Sequence, residues 1–146
     1  MRKLDLILFL AVALEVLPGC SDPASIKNPY QRWKAYHLQD YSFVQQLECY
    51  CHPVYGRRFR VYVKSGRIVD VVDLESQESF PDAQRQRFFR TADELFSLVW
   101  NSSASKVLAL KVEYDSTYGY PSYLFIDQDE GIDDEMTWIT SDLKQE

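Results

Sequence analysis

Cys49-Tyr50-Cys51-His52 is the tightest grouping of reactive side chains in the chain. Thiolates exchange disulfides and bind soft metals, and imidazole is the commonest metal-ligating partner. On a flat strand, α-carbons two places apart stand about 6.6 Å from each other, at the far edge of what a disulfide accepts. His52-Pro53 ends the strand, and a kink there closes the gap. A Cys49–Cys51 disulfide is therefore the leading expectation, with free thiols, a redox-active pair and a metal centre as alternatives. The metal alternative uses Cys49, Cys51 and His52, with His37 as a further ligand. Its cysteines stand closer in sequence than zinc sites usually place them.

The second grouping is the acidic stretch from Asp127 to Glu135 (DQDEGIDDE). Asp127, Asp129 and Gly131 mimic the start of an EF-hand. The glycine comes one place early, however, and Trp138 occupies the position that needs a bidentate glutamate. An EF-hand is excluded, which leaves a looser calcium site or a solvated acidic loop.

Catalytic equipment is sparse. The chain has two histidines, and no nucleophile elbow, zinc-protease helix, P-loop or dinucleotide fingerprint. Plentiful carboxylates are a weak sign of a glycosidase, and aromatic residues at alternating strand positions read first as core. No enzyme is expected, and no cofactor beyond a covalent lipid. With a formal net charge of −6, the chain lacks the basic face a nucleic-acid partner requires, or one that would hold it to anionic lipid.

The N-terminus carries its own chemistry. Arg2 and Lys3 precede an apolar run from Leu6 to Leu14, and Leu17-Pro18-Gly19-Cys20 follows. That order is the layout of a secretory leader, too short to span a bilayer. Residues 1–19 are expected to be removed and Cys20 to be acylated (palmitate among its chains), so that lipid anchors the protein in a bacterial cell envelope. Ser21 after the cysteine matches sorting to the outer membrane, facing the periplasm, in Gram-negative cells. Residues 20–28 form the tether, and 29–146 a single α+β domain. In the oxidising compartment beyond the membrane only Cys49 and Cys51 remain to pair.

The elements that position these groups follow from period and punctuation. Asn28 and Pro29 open a short helix to His37, with Tyr30 and Trp33 on one face. Tyr41 to Cys51 alternates, with Gln45 the exception among inward residues. Arg58 to Val63 alternates cleanly, turns at Lys64-Ser65-Gly66, and returns as Arg67 to Leu74. A polar stretch runs from Glu75 to Arg87. Thr91 and Glu94 form a capping box before Leu95, Phe96, Val99 and Trp100. Strands at Ser105 to Tyr114, Ser122 to Asp127 and Met136 to Ser141 complete the order: helix, three strands, helix, three strands. Antiparallel pairing is expected, with the helices on one sheet face.

One further segment stands out, Tyr114-Asp115-x-x-Tyr118-Gly119-Tyr120-Pro121. Gly119 can take a positive φ, Pro121 can fix the exit, and Asp115 can accept a backbone hydrogen bond within the turn. The functional alternative makes Asp115, Tyr118 and Tyr120 an exposed recognition edge. Together with Cys49-x-Cys51, this motif resembles an uncharacterised family of small secreted bacterial proteins and lipoproteins, a domain of unknown function, over Tyr30 to Ser141. The resemblance implies a secreted location and a shared fold, and no activity. The expected role is a non-enzymatic module that binds or supports an envelope protein through Tyr118 to Tyr123 with the acidic loop beside it. The alternative is a small-ligand or metal-binding module.

Overall fold

The computed structural model describes residues 22–51, 54–131 and 134–146. The leader, Cys20 and His52 lie outside the described residues. Strands β1 (Tyr41–Cys49), β2 (Arg58–Lys64), β3 (Arg67–Asp73), β4 (Ala109–Tyr114), β5 (Pro121–Asp127) and β6 (Met136–Gln145) form one sheet in the order β3-β2-β1-β6-β5-β4. Every neighbouring pair is antiparallel. With α1 (Pro29–Ala35), α2 (Asp82–Phe88) and α3 (Ala92–Ser105), the class is mixed α+β.

β1 sits inside the sheet, between β2 and β6. Its inward residues Tyr41, Phe43, Leu47 and Cys49 join the core with Phe59, Val61 and Val63 of β2, as the alternation predicts. Gln45 is fully buried among them. Its Oε1 accepts the Arg90 amide at 3.0 Å, and its Nε2 donates to the Arg90 carbonyl and the Thr140 hydroxyl, each at 3.3 Å. One side chain thus satisfies the backbone of the linker between α2 and α3, which would otherwise cost a buried unpaired donor.

Aromatic contacts fix the helices against the strands. Trp33 of α1 meets Tyr41 edge-on at 5.3 Å. The Tyr41 oxygen accepts the Ala92 amide at 3.1 Å, and burial lifts its hydroxyl well above the ordinary tyrosine range. Phe59 meets Phe89 at 4.9 Å, and Trp138 donates to the Phe88 carbonyl at 3.1 Å. Each edge-on ring pair contributes about 0.5–1.5 kcal/mol beyond its buried area.

Several boundaries differ from the sequence reading. The stretch from Glu75 to Arg87, read only as polar, holds all of α2 except its last residue, Phe88. Phe88 is its one buried residue, so no apolar stripe announces it. α3 begins at the expected capping box but runs on through Asn101-Ser102-Ser103 and stops at Lys106, in the left-handed conformation. β4 therefore starts at Ala109, and Leu108 is exposed rather than inward. Trp100 of the expected apolar stripe is 49 % exposed. α1 ends at Ala35, two places before His37, which has φ 51°.

Candidate functional site

β1 delivers Cys49 to the edge of the core, opposite Met136 of β6. The strand stops there, short of the expected Cys51, because the chain bends at Tyr50. That bend, two residues before the expected His52-Pro53 kink, brings the two α-carbons to 5.1 Å and the sulfurs within bonding distance. Cys49 is buried and Cys51 half-buried, and the Tyr50 ring between them is 84 % exposed. A bonded pair offers no thiolate to a metal.

A second aromatic ring stands beside the first. Buried Val54 seats the following loop, and the Gly56 amide donates to the Leu47 carbonyl at 3.0 Å. Gly56 takes φ +69°, a left-handed conformation that suits glycine. Tyr55 thereby bridges back to Leu47 and remains 65 % exposed. Cys49, Tyr50, Cys51 and Tyr55 line a hollow of about 510 Å³. Sequence reading passed over Tyr55, since an aromatic residue in a short loop carries no periodic signal.

The acidic loop closes the other side. A neighbouring hollow of about 320 Å³ is lined by Cys49 to Cys51 on one side and by Asp129, Asp134 and Glu135 on the other. Within the described part of the loop, Asp134 accepts the Asp129 amide at 3.0 Å, and Asp129 accepts the Gly131 amide at 2.6 Å. Asp127 is half-buried at the end of β5, paired with Ala109. Among the described residues, no three His, Cys, Asp or Glu side chains are grouped so as to hold a metal ion. His37 precedes β1 at its Tyr41 end, so the full strand separates it from Cys49. The fold thus joins the cysteine pair and the acidic loop, which the sequence offered as separate candidates, and separates His37 from both.

The Tyr118 turn is elsewhere, at the opposite end of β5 from the acidic loop. Asp115 accepts the Thr117 and Tyr118 amides at 2.9 and 2.6 Å, and its own amide donates to the Tyr120 carbonyl at 2.8 Å. Gly119 has φ +87°, and a Cβ there would run into the Pro29 carbonyl oxygen of α1. Gly119, Tyr120 and Pro121 are buried. Tyr120 packs on Trp33 and Phe43 at 6.3 and 6.2 Å, and burial raises its hydroxyl well above the usual range. Tyr118 is half-buried, 4.9 Å from Tyr36. This turn locks α1 to the sheet, with Ser116 and Thr117 as its exposed residues.

Residues 25–145 match the model of a family of unknown function, DUF6174. The chain belongs to that family. The DUF6174 match takes in the cysteine pair, the Tyr118 turn and the acidic loop, and runs slightly wider than the resemblance read from the motifs. No curated protein and no solved structure matches the chain.

Proposed function

We propose that this DUF6174 chain is a bacterial envelope lipoprotein, exported by its leader, acylated at Cys20 and held at a membrane surface as a non-enzymatic protein-binding or support module. Its binding face is the end of the sheet where the Cys49–Cys51 bond, Tyr50, Tyr55 and the acidic loop meet. The observation that carries this reading is the exposure of two tyrosine rings, 84 % and 65 %, on a cross-linked turn rimmed by carboxylates. Rigid aromatic rings lose little entropy on binding and recur as interface anchors. Carboxylates at their rim favour a partner that presents lysine or arginine. The acidic loop is retained from the sequence reading. The Tyr118 turn is replaced, because its glycine, second tyrosine and proline are buried.

The placement of all three helices on one sheet face belongs to the same proposal. The contacts of Trp33, Phe89 and Ala92 with Tyr41 and Phe59 support it. Chemical cross-linking of the full-length protein in living cells tests the binding role. A cross-linked envelope species should form with the parent and be lost in Tyr50→Ala/Tyr55→Ala. An undiminished species in that variant rejects this face.

The 510 Å³ hollow favours one second reading, since it falls within the size range of small-ligand sites. A small apolar molecule seated between the two rings would raise the melting temperature of the parent and leave the double-alanine variant unmoved.

A further inference from the structure

The reach of the chain between the lipid and the folded domain bears on how the binding face is presented. A lipoprotein whose folded part stands off on a free linker can tumble and offer any face to its surroundings. Here the tether is folded from Asp22 onward. Asp22 caps a single 3-10 turn at Pro23–Ser25, its carboxylate accepting the Ala24 amide at 3.0 Å. That turn packs along α1. The Arg32 guanidinium then fastens the tether at both ends of its fork. Nε donates to the Ile26 carbonyl at 2.7 Å, and Nη1 donates to the Ser116 carbonyl at 2.6 Å. Asn28 caps α1 directly after, accepting the Gln31 amide at 3.0 Å.

We infer that no free spacer separates the domain from its anchor, so the protein lies against the lipid surface on its α1 and Tyr118-turn end, and the Cys49 end faces away. This rests on acylation at Cys20. From Cys20 to Asp22 the chain spans at most about 7 Å. β1 runs from Tyr41, beside α1, to Cys49, a length of about 27 Å. The occupant of the α1 end is therefore a lipid surface, set there by the length of chain outside the fold and not by adhesion. The α1-locked Tyr118 turn then serves to brace the base of the molecule.

Energy transfer to a membrane dye tests this on the full-length lipidated protein in phosphatidylethanolamine/phosphatidylglycerol vesicles that carry an acceptor in the headgroup layer. A clickable residue at exposed Thr117 or exposed Glu130 takes the donor dye. Transfer from position 117 should exceed transfer from position 130 by about two-fold or more, given the length of β1 between them. A flexible Gly/Ser insert of about 20 residues between Ser21 and Asp22 should abolish the difference. Equal transfer without the insert overturns the inference, and a difference that survives the insert overturns the tether as its cause. The mass of the N-terminal peptide is read in parallel. An unmodified Cys20 removes the anchor and this inference with it, whereas acylation with equal transfer rejects the orientation alone.

Discussion

Replacing Gly119 with alanine should destabilise the fold far more than the same change at Gly56, although both glycines have positive φ. The backbone cost is shared: an alanine held in the left-handed region loses about 1–2 kcal/mol, partly offset by a less flexible unfolded chain. What differs is space. Around Gly56 nothing lies within 4 Å of an added Cβ. At Gly119 the methyl would collide with the Pro29 carbonyl oxygen and stand 3.2 Å from Arg32 Cβ. Backbone on both sides leaves α1 to move, and α1 carries the Arg32 bonds to Ile26 and Ser116. Hydrogen bonds from a charged donor contribute about 1.5–3 kcal/mol each. With the Arg32–Ser116 bond lost as well, Gly119→Ala should cost about 2.5–5 kcal/mol and Gly56→Ala about 1–2, against a total stability of about 5–15 kcal/mol. Urea unfolding followed by tryptophan fluorescence reads both, with Trp33 of α1 buried as reporter. Equal losses in the two variants would refute the locking of α1 by this turn.

Other consequences are as direct. Cys49→Ser/Cys51→Ser should lower stability by about 1.6 kcal/mol or less, because the bond closes so short a loop, while removing most of the cross-linking that depends on Tyr50; a large fall in urea midpoint would show that the bond supports the core. By intact mass, the parent protein should be lighter than its dithiol form by one hydrogen per sulfur. Gln45→Leu should cost about 1–3 kcal/mol by leaving the Arg90 amide without a buried partner, and a midpoint within error of the parent would contradict that role. Burial raises the Tyr41 hydroxyl, so the folded chain keeps a proton that the unfolded chain releases near pH 10. Its contribution is full below that pH and declines as pH rises further, by up to about 1.4 kcal/mol per pH unit. Unfolding midpoints from pH 9 to 11 should fall less steeply in Tyr41→Phe than in the parent, and parallel curves would rule the contribution out.

Local chemistry was the legible part of this chain. Thr91 and Glu94 announce the start of α3, and their reciprocal bonds, at 3.2 and 2.7 Å, are those a capping box needs. Ser65 and Gly66 both take positive φ in the β2–β3 turn, as a two-residue hairpin connection demands. The cysteine spacing pointed to a bond that the bend at Tyr50 makes reachable. What sequence could not convey was non-local or outward-facing. α2 is almost wholly exposed, so its pattern is that of a polar loop. Asn101, Ser102 and Ser103 favour ends and turns, yet Ser102 is buried in the last turns of α3. Gln45 reads as a fault in a strand until Arg90 supplies its partner. Above all, the meeting of Cys49 with the acidic loop depends on β1 pairing with β6, nearly the length of the domain away in sequence.

The central claim, that the Cys49 end is the binding face, is met most directly by placing a photo-activated cross-linking residue at Tyr50, Tyr55 or Thr117 in the full-length protein and irradiating intact cells. The account predicts one discrete envelope-protein adduct from Tyr50 and Tyr55 and none of the same size from Thr117. An adduct from Thr117 with none from either tyrosine would contradict it and return the binding face to the α1 end.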